Sequence, residues 1–175
     1  DSLLPRYRGF NPLVTALING DNQIGVTALF GTKEYDKGDI ILQWKKQIKY
    51  PLKIQAAIEI VNQGYSILFL DIIKKISEGT KLEAKPQDEQ LATYSIWRDR
   101  EDYYIDWNQS SEKIKRFVDA VSFPYLSARS RLEGSEVIIE EVEVVNDLVI
   151  ENRNIGKAFI KYNNYLSLDP LANIF

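Results

Sequence analysis

The sequence predicts an α/β fold that ends in a small antiparallel β module. Three observations carry this. Residues 1–90 read as helix, strand, strand and long helix; residues 79–90 form a polar break carrying Pro86; and beyond Gly134 the chain turns to β-branched segments punctuated by turn residues. Of 175 residues, 45% are hydrophobic and 11% aromatic, enough for a packed core and against disorder. That length holds one ordinary domain of ~100–150 residues and a smaller one. The expected division is residues 1–90, a linker at 91–107, and a helix plus β module at 108–175.

The first ten residues hold Pro5 and Gly9 and read as a loop. Asn11 and Pro12 open a short helix, Asn as cap and Pro in the first turn, with Gly20 just past its end. Branched and aromatic residues over 24–30 predict a strand, 31–39 is a polar loop, and 40–48 is a second strand with Lys45, Lys46 and Lys49 toward its solvent end. Residues 53–77 give the strongest helical signal. Ile54, Ala57, Ile58, Val61, Tyr65, Leu68, Ile72 and Ile76 recur at three- and four-residue steps, a stripe that must pack on something. Gly64 is a candidate kink within it and Gly79 a candidate cap. A further helix starts at Ser110 or Ser111 and runs through Ile114, Phe117, Val118 and Val121 to a break at Phe123-Pro124. Strands are predicted at 137–145, 148–151, 158–162 and 165–168, with turns at Asn146-Asp147 and 152–156.

The absence of cysteine excludes a disulfide framework, a thiolate metal site and a thiol nucleophile. The absence of histidine removes the commonest general base and metal ligand, and no metal is expected. The sequence also lacks Met, so it reads as part of a longer chain. No run approaches the ~18–20 uninterrupted apolar residues of a membrane span and no signal peptide opens the sequence, so the expectation is a cytoplasmic protein without a membrane partner. Net charge is −3. Glu133, Glu136, Glu140, Glu141, Glu143, Asp147 and Glu151 occupy a stretch without Lys or Arg, a poor platform for a phosphate backbone.

Three segments, in order, carry chemistry: Asp1-Ser-Leu-Leu-Pro-Arg-Tyr-Arg-Gly9, Gly25-Val-Thr27 and Tyr35-Asp-Lys-Gly-Asp-Ile40. Together they resemble the active-site strip of the enzymes that move a formyl group from 10-formyltetrahydrofolate onto an amine. Gln90-Leu-Ala-Thr-Tyr94 and Ile105-Asp-Trp107 resemble the stretch after the catalytic domain of that family, with Trp107 expected to plug the seam between the two parts. Phe123-Pro-Tyr125 resembles a turn of the same family but departs from it at Leu126-Ser127. The resemblance implies that residues 1–90 are the later part of a Rossmann-like formyltransferase domain, with its site at the carboxyl edge of the sheet.

By residue type alone, Asp36 suits a turn, and Arg6, Tyr7 and Arg8 suit a solvated loop. The resemblance implies more. Asp36 is then the catalytic carboxylate, working with a His and an Asn that fall upstream of Asp1, so the chain alone is expected to be inactive. Lys33, Glu34, Tyr35 and Asp36 cup the pterin of 10-formyltetrahydrofolate, largely through main-chain groups. Arg6, Tyr7 and Arg8 wall the substrate site, where guanidinium forks suit phosphate oxygens. Thr27 is left as a strand residue.

Tyr7-Arg-Gly-Phe-Asn-Pro-Leu-Val and Ala28-Leu-Phe30 resemble the amino-sugar branch of the family, and Asn152-Arg153 with Gly156-Lys157 resembles a turn in its C-terminal module. With the acidic tract, this makes a nucleotide-linked amino sugar the expected acceptor, with no nucleic-acid partner. The alternatives are methionyl-tRNA as acceptor, or a non-catalytic folate-site remnant or dimerisation module. A homodimer is compatible with the resemblance.

Overall fold

The structure is a computed structural model that describes residues 1–146, 151, 154–161 and 165–169. The expected α/β architecture is present. The chain opens with an irregular loop into a two-residue strand, β1 (Arg8–Gly9), followed by α1 (Pro12–Asn19). The helix starts at the expected step, but Asn11 does not cap it: its backbone is left-handed, at φ 51°, and its side chain makes no capping bond. The start is set by Pro12, whose fixed φ and missing N–H suit a first helical turn.

Strands β2 (Gln23–Leu29) and β3 (Ile40–Gln47) pair antiparallel, with a bulge at Ala28/Leu29. Alternation divides their residues between two faces. Val26 and its partner Trp44 face the long helix α2 (Ile54–Ser77), while Thr27 and Gln43 face the opening loop. Gly64 does not kink α2, which runs unbroken through it. A Cβ there would fall 2.3 Å from Trp44 Cε3 and 2.8 Å from Val26 Cγ2, so the glycine is what lets helix and sheet touch.

Of the predicted stripe, Ile54, Ala57, Val61 and Leu68 are buried, but Tyr65 and Ile76 are exposed, as are Ile67, Phe69, Leu70 and Ile73. The 24-residue helix, with mean hydropathy 1.3 over 18 residues, is long and apolar enough to cross a membrane by length and composition. Searching for an uninterrupted apolar run misses this, because Glu59, Asp71, Lys74 and Lys75 interrupt it. One stripe of the helix packs on β2 and β3 as a core helix does.

Past residue 79, Lys85 bridges Ile40 of β3, and β4 (Tyr94–Ser95) pairs parallel with β1. Residues 91–107 are not a loose tether, since Ser95, Tyr103 and Ile105 are buried. Helix α3 (Ser111–Ala120) is capped by Ser110, whose Oγ accepts the Lys113 N–H. It packs on α1, so Leu13, Leu17, Ile105, Ile114, Val118 and Ala128 share one core.

Strands β5 (Ala128–Leu132) and β6 (Ser135–Ile139) form a hairpin through Glu133 and Gly134, both at positive φ. The strand pattern therefore starts before Gly134, not after it, and the predicted strand over 137–145 stops at Ile139. A second hairpin joins β7 (Lys157–Lys161) and β8 (Tyr165–Asp169), within a residue of expectation. The predicted strand at 148–151, Asp147 of one predicted turn, and Asn152 and Arg153 lie outside the described residues, apart from Glu151 in a bend.

Candidate active site

The opening loop is irregular yet fixed by side chains of the sheet beneath it. Thr27 Oγ1 donates to the Ser2 carbonyl at 2.7 Å and accepts the Leu4 N–H at 3.2 Å. Gln43 Nε2 donates to the Leu4 carbonyl and to Thr27 Oγ1, both at 2.8 Å. Further on, Thr93 Oγ1 accepts the N–H of Tyr7 at 2.9 Å. Reading the sequence left Thr27 a plain strand residue and gave Gln43 and Thr93 no role. The available signal was a polar residue at alternate positions of a strand that pairs within a core.

Asp36 lies in the 31–39 loop between β2 and β3, at a left-handed φ of 59°. Its Oδ2 accepts the Gly9 N–H at 2.7 Å. Gly9 has φ 104°, and a Cβ there would fall 2.5 Å from the Ser95 carbonyl oxygen. Glycine thus lets β1 pair with β4 while aiming its N–H at Asp36. The end of the opening loop and Asp36 are therefore joined by a hydrogen bond.

Lys33, Glu34 and Tyr35 are exposed, Tyr35 at 92%. Glu34 pairs with Lys37 across the turn. Among the described residues, no main-chain N–H of residues 31–35 is bonded to another main-chain group. The loop thus presents main-chain N–H groups beside Asp36 that no described main-chain group occupies, while the Glu34 carbonyl accepts from Thr32 Oγ1.

The three residues expected to wall the substrate site separate. Arg6 stays half exposed, stacks over the Tyr7 ring at 4.7 Å and pairs with Asp21 at 3.0 Å. Tyr7 is buried, and its hydroxyl accepts from Arg6 Nη2 at 2.7 Å and Asn19 Nδ2 at 3.1 Å. Burial raises its pKa. Arg8 turns inward and is 1% exposed. Its Nη1 and Nη2 grip both oxygens of Glu89 at 2.9 and 2.7 Å, and Nε and Nη2 donate to Gln87 Oε1 at 3.2 and 2.8 Å. Hydrogen bonding to Glu89 raises the Arg8 pKa, and the same bond lowers that of Glu89. A guanidinium so engaged holds the fold and is not free for a ligand phosphate.

The cleft against Arg6, Tyr7 and Asp21 is about 20 Å³, room for about one water, so acceptor space is not enclosed there. Trp107 donates from Nε1 to Ser130 Oγ at 3.1 Å and lies against Gly156, between β5 and the turn before β7. Among the described residues no group of three or more acidic side chains is placed to hold a metal. What the site provides is one carboxylate, fixed on a main-chain N–H, beside a loop whose residues 31–35 are exposed.

The Formyl transferase family model matches residues 1–62, which include the whole Asp36 loop, and the model of the formyl transferase C-terminal domain matches residues 98–164. The chain belongs to the formyl transferase family. The methionyl-tRNA formyltransferase of Fusobacterium nucleatum subsp. nucleatum is 33% identical over 156 residues, covering 89% of this chain and 49% of that protein. The chain spans about half the length of the curated relatives it matches. Two solved structures share the fold. An N-formyltransferase from Helicobacter canadensis, in complex with folinic acid and dTDP-3-aminofucose, superposes with a TM-score of 0.71 at 21% identity, over 99% of this chain and 62% of that one. HypX from Aquifex aeolicus, in complex with tetrahydrofolic acid, superposes with a TM-score of 0.68 at 23% identity, over 95% of this chain and 29% of that one.

Proposed function

We propose that the full-length protein transfers a formyl group from 10-formyltetrahydrofolate to the amine of a nucleotide-linked amino deoxysugar, and that Asp36 is its catalytic carboxylate. The observation that carries this is the Asp36 carboxylate, fixed on the Gly9 N–H at the end of the opening loop, in a chain of the formyl transferase family. The folate supplies an activated formyl carbon. As the acceptor nitrogen bonds to that carbon and the carbon's bond to N10 breaks, the acceptor nitrogen loses a proton and N10 gains one. Asp36 takes up the acceptor proton, directly or through water. The main-chain N–H groups of Lys33, Glu34 and Tyr35 offer donors to a pterin edge, beside Asp36.

Charge supports the sugar acceptor. Arg100 and Arg129 converge on one carboxylate, Glu136, at 2.6 and 2.5 Å, so both guanidinium groups are engaged within the protein. Later in the same region of sequence Glu133, Glu140, Glu141 and Glu143 are exposed, Glu141 pairing with Lys53. A phosphate backbone needs the opposite. The dTDP-aminofucose bound to the Helicobacter neighbour supports the same class. Methionyl-tRNA is the second reading, favoured by the 33% identity to the Fusobacterium enzyme. A cytoplasmic location and a homodimer belong to the same proposal.

The test is incubation of the full-length protein and 10-formyltetrahydrofolate with nucleotide-linked amino deoxysugars and, separately, with methionyl-tRNA. Formylation of a nucleotide sugar is the expected result. Formylation of the tRNA alone overturns the acceptor, and formylation of neither overturns the activity.

A further inference from the structure

We infer that Gln87 is a positioning residue for Asp36, a latch that couples the buried Arg8 to the turn carrying the carboxylate; this rests on the proposed role of Asp36. The Gln87 amide is used at both ends. Its Oε1 accepts from Arg8 Nε and Nη2, and its Nε2 donates to the Asp36 carbonyl at 2.7 Å and the Gly38 carbonyl at 2.8 Å. The chemistry leaves one orientation of the amide: arginine only donates and carbonyls only accept, so oxygen must face Arg8 and nitrogen the turn. Arg8 is anchored in turn by both oxygens of Glu89.

The latch matters because of what it closes. Arg8 is followed directly by Gly9, whose N–H holds the Asp36 carboxylate, so the β1 backbone and the Asp36 turn are tied at two points. One tie is the Gly9–Asp36 bond and the other is Arg8–Gln87. Asp36 keeps a left-handed backbone, which an Asp tolerates and its surroundings can hold in place. Gln87 holds it by gripping the carbonyls of Asp36 and of Gly38 two residues on. It is separated from Asp36 by 51 residues of sequence, which is why no local reading assigns it.

The experiment is a double-mutant cycle in the full-length protein, with Gln87→Ala and Gln87→Glu, each alone and combined with Asp36→Asn. Gln87→Glu keeps the oxygen facing Arg8 and sets a second oxygen against the two carbonyls, so it opens the latch without emptying the site. Each single Gln87 variant should lower kcat by about 10- to 100-fold, the order that a small misplacement at a reacting centre produces, with little change in KM for the formyl donor. In the Asp36→Asn background neither should lower kcat further. A second, activity-independent readout is the hydrogen exchange of the Gly9 amide, which should lose at least 10-fold in protection while the amides of Ile114 and Val118 keep theirs. Additive losses in the cycle, or an unchanged Gly9 amide, overturn the inference. If the wild-type protein formylates no acceptor, the proposed function fails, and the Gly9 amide still decides whether Gln87 latches the turn.

Discussion

The Asp36 carboxylate takes its hydrogen bond from the backbone of Gly9, across 27 residues of sequence, and not from any cationic side chain. An uncharged replacement can keep that bond, since an Asn side chain presents a carbonyl oxygen of the same shape and tolerates a left-handed backbone. Asp36→Asn should therefore leave the thermal unfolding midpoint nearly unchanged. Loss of the proton acceptor should lower kcat for formyl transfer by about 10²- to 10⁴-fold. Paired unfolding and single-turnover assays on the full-length protein check this, and an Asn variant with near-wild-type kcat would rule out Asp36 as the base.

Gly64 is a packing glycine, and its replacement sets two effects against each other. Alanine favours the helix over glycine by about 1 kcal/mol. Against this, the new Cβ would fall 2.3 Å from Trp44 Cε3 and 2.8 Å from Val26 Cγ2, on the face where α2 meets the sheet. Overpacking of this kind costs about 1–3 kcal/mol. The net expectation for Gly64→Ala is a loss of stability by denaturant titration, with the Trp44 fluorescence altered. A gain of about 1 kcal/mol would mean that α2 stands off the sheet.

The elements that were legible in the sequence are those whose signals are local. Pro12 and Gly20 bracket α1, Ser110 caps α3, and the apolar spacing of 53–77 marks α2. Strand β5 was not legible because Ala128–Leu132 carries Arg129 and Arg131 and little apolar alternation; its form is set by pairing with β6 and by the bridge from Arg129 to Tyr104. The site divides in the same way. Asp36 stands in a motif that can be read along the chain. The inward turn of Arg8 cannot be read there, because an arginine counts as surface until Gln87 and Glu89, about eighty residues away, supply its partners.

Glu136 predicts the acid limb of stability. Hydrogen bonds from Tyr104 and Arg100, with the charges of Arg100 and Arg129, hold its carboxyl near a pKa of about 2, against 4.5 for the ordinary value. A group depressed in the folded state stabilises fully above its unfolded pKa, and that contribution fades as pH falls from about 4.5 toward 2. Wild-type protein should thus be more stable than Glu136→Gln at pH 7, and the gap should narrow through that window. A gap independent of pH would mean that these ion pairs do not hold the β5–β6 hairpin to the linker.

Tyr50 predicts the alkaline limb, with the opposite sign. Its hydroxyl donates to the Asp21 carbonyl at 2.9 Å, with a longer contact of 3.3 Å to the Leu17 carbonyl, so it fastens the segment after β3 to the end of α1. Burial, reinforced by the negative charge of Asp21, pushes its pKa from 10 up to about 12, with Arg116 opposing. The folded state keeps the phenol neutral while the unfolded chain ionises it, so stability is intact below pH 10 and is lost between 10 and about 12. Tyr50→Phe should cost about 0.5–1.5 kcal/mol at pH 8 through the lost hydrogen bonds. Above pH 10 the variant should lose stability less steeply than wild type, and the two unfolding curves should converge. Parallel alkaline limbs for the two proteins would show that Tyr50 ionises as freely in the folded chain as in the unfolded one.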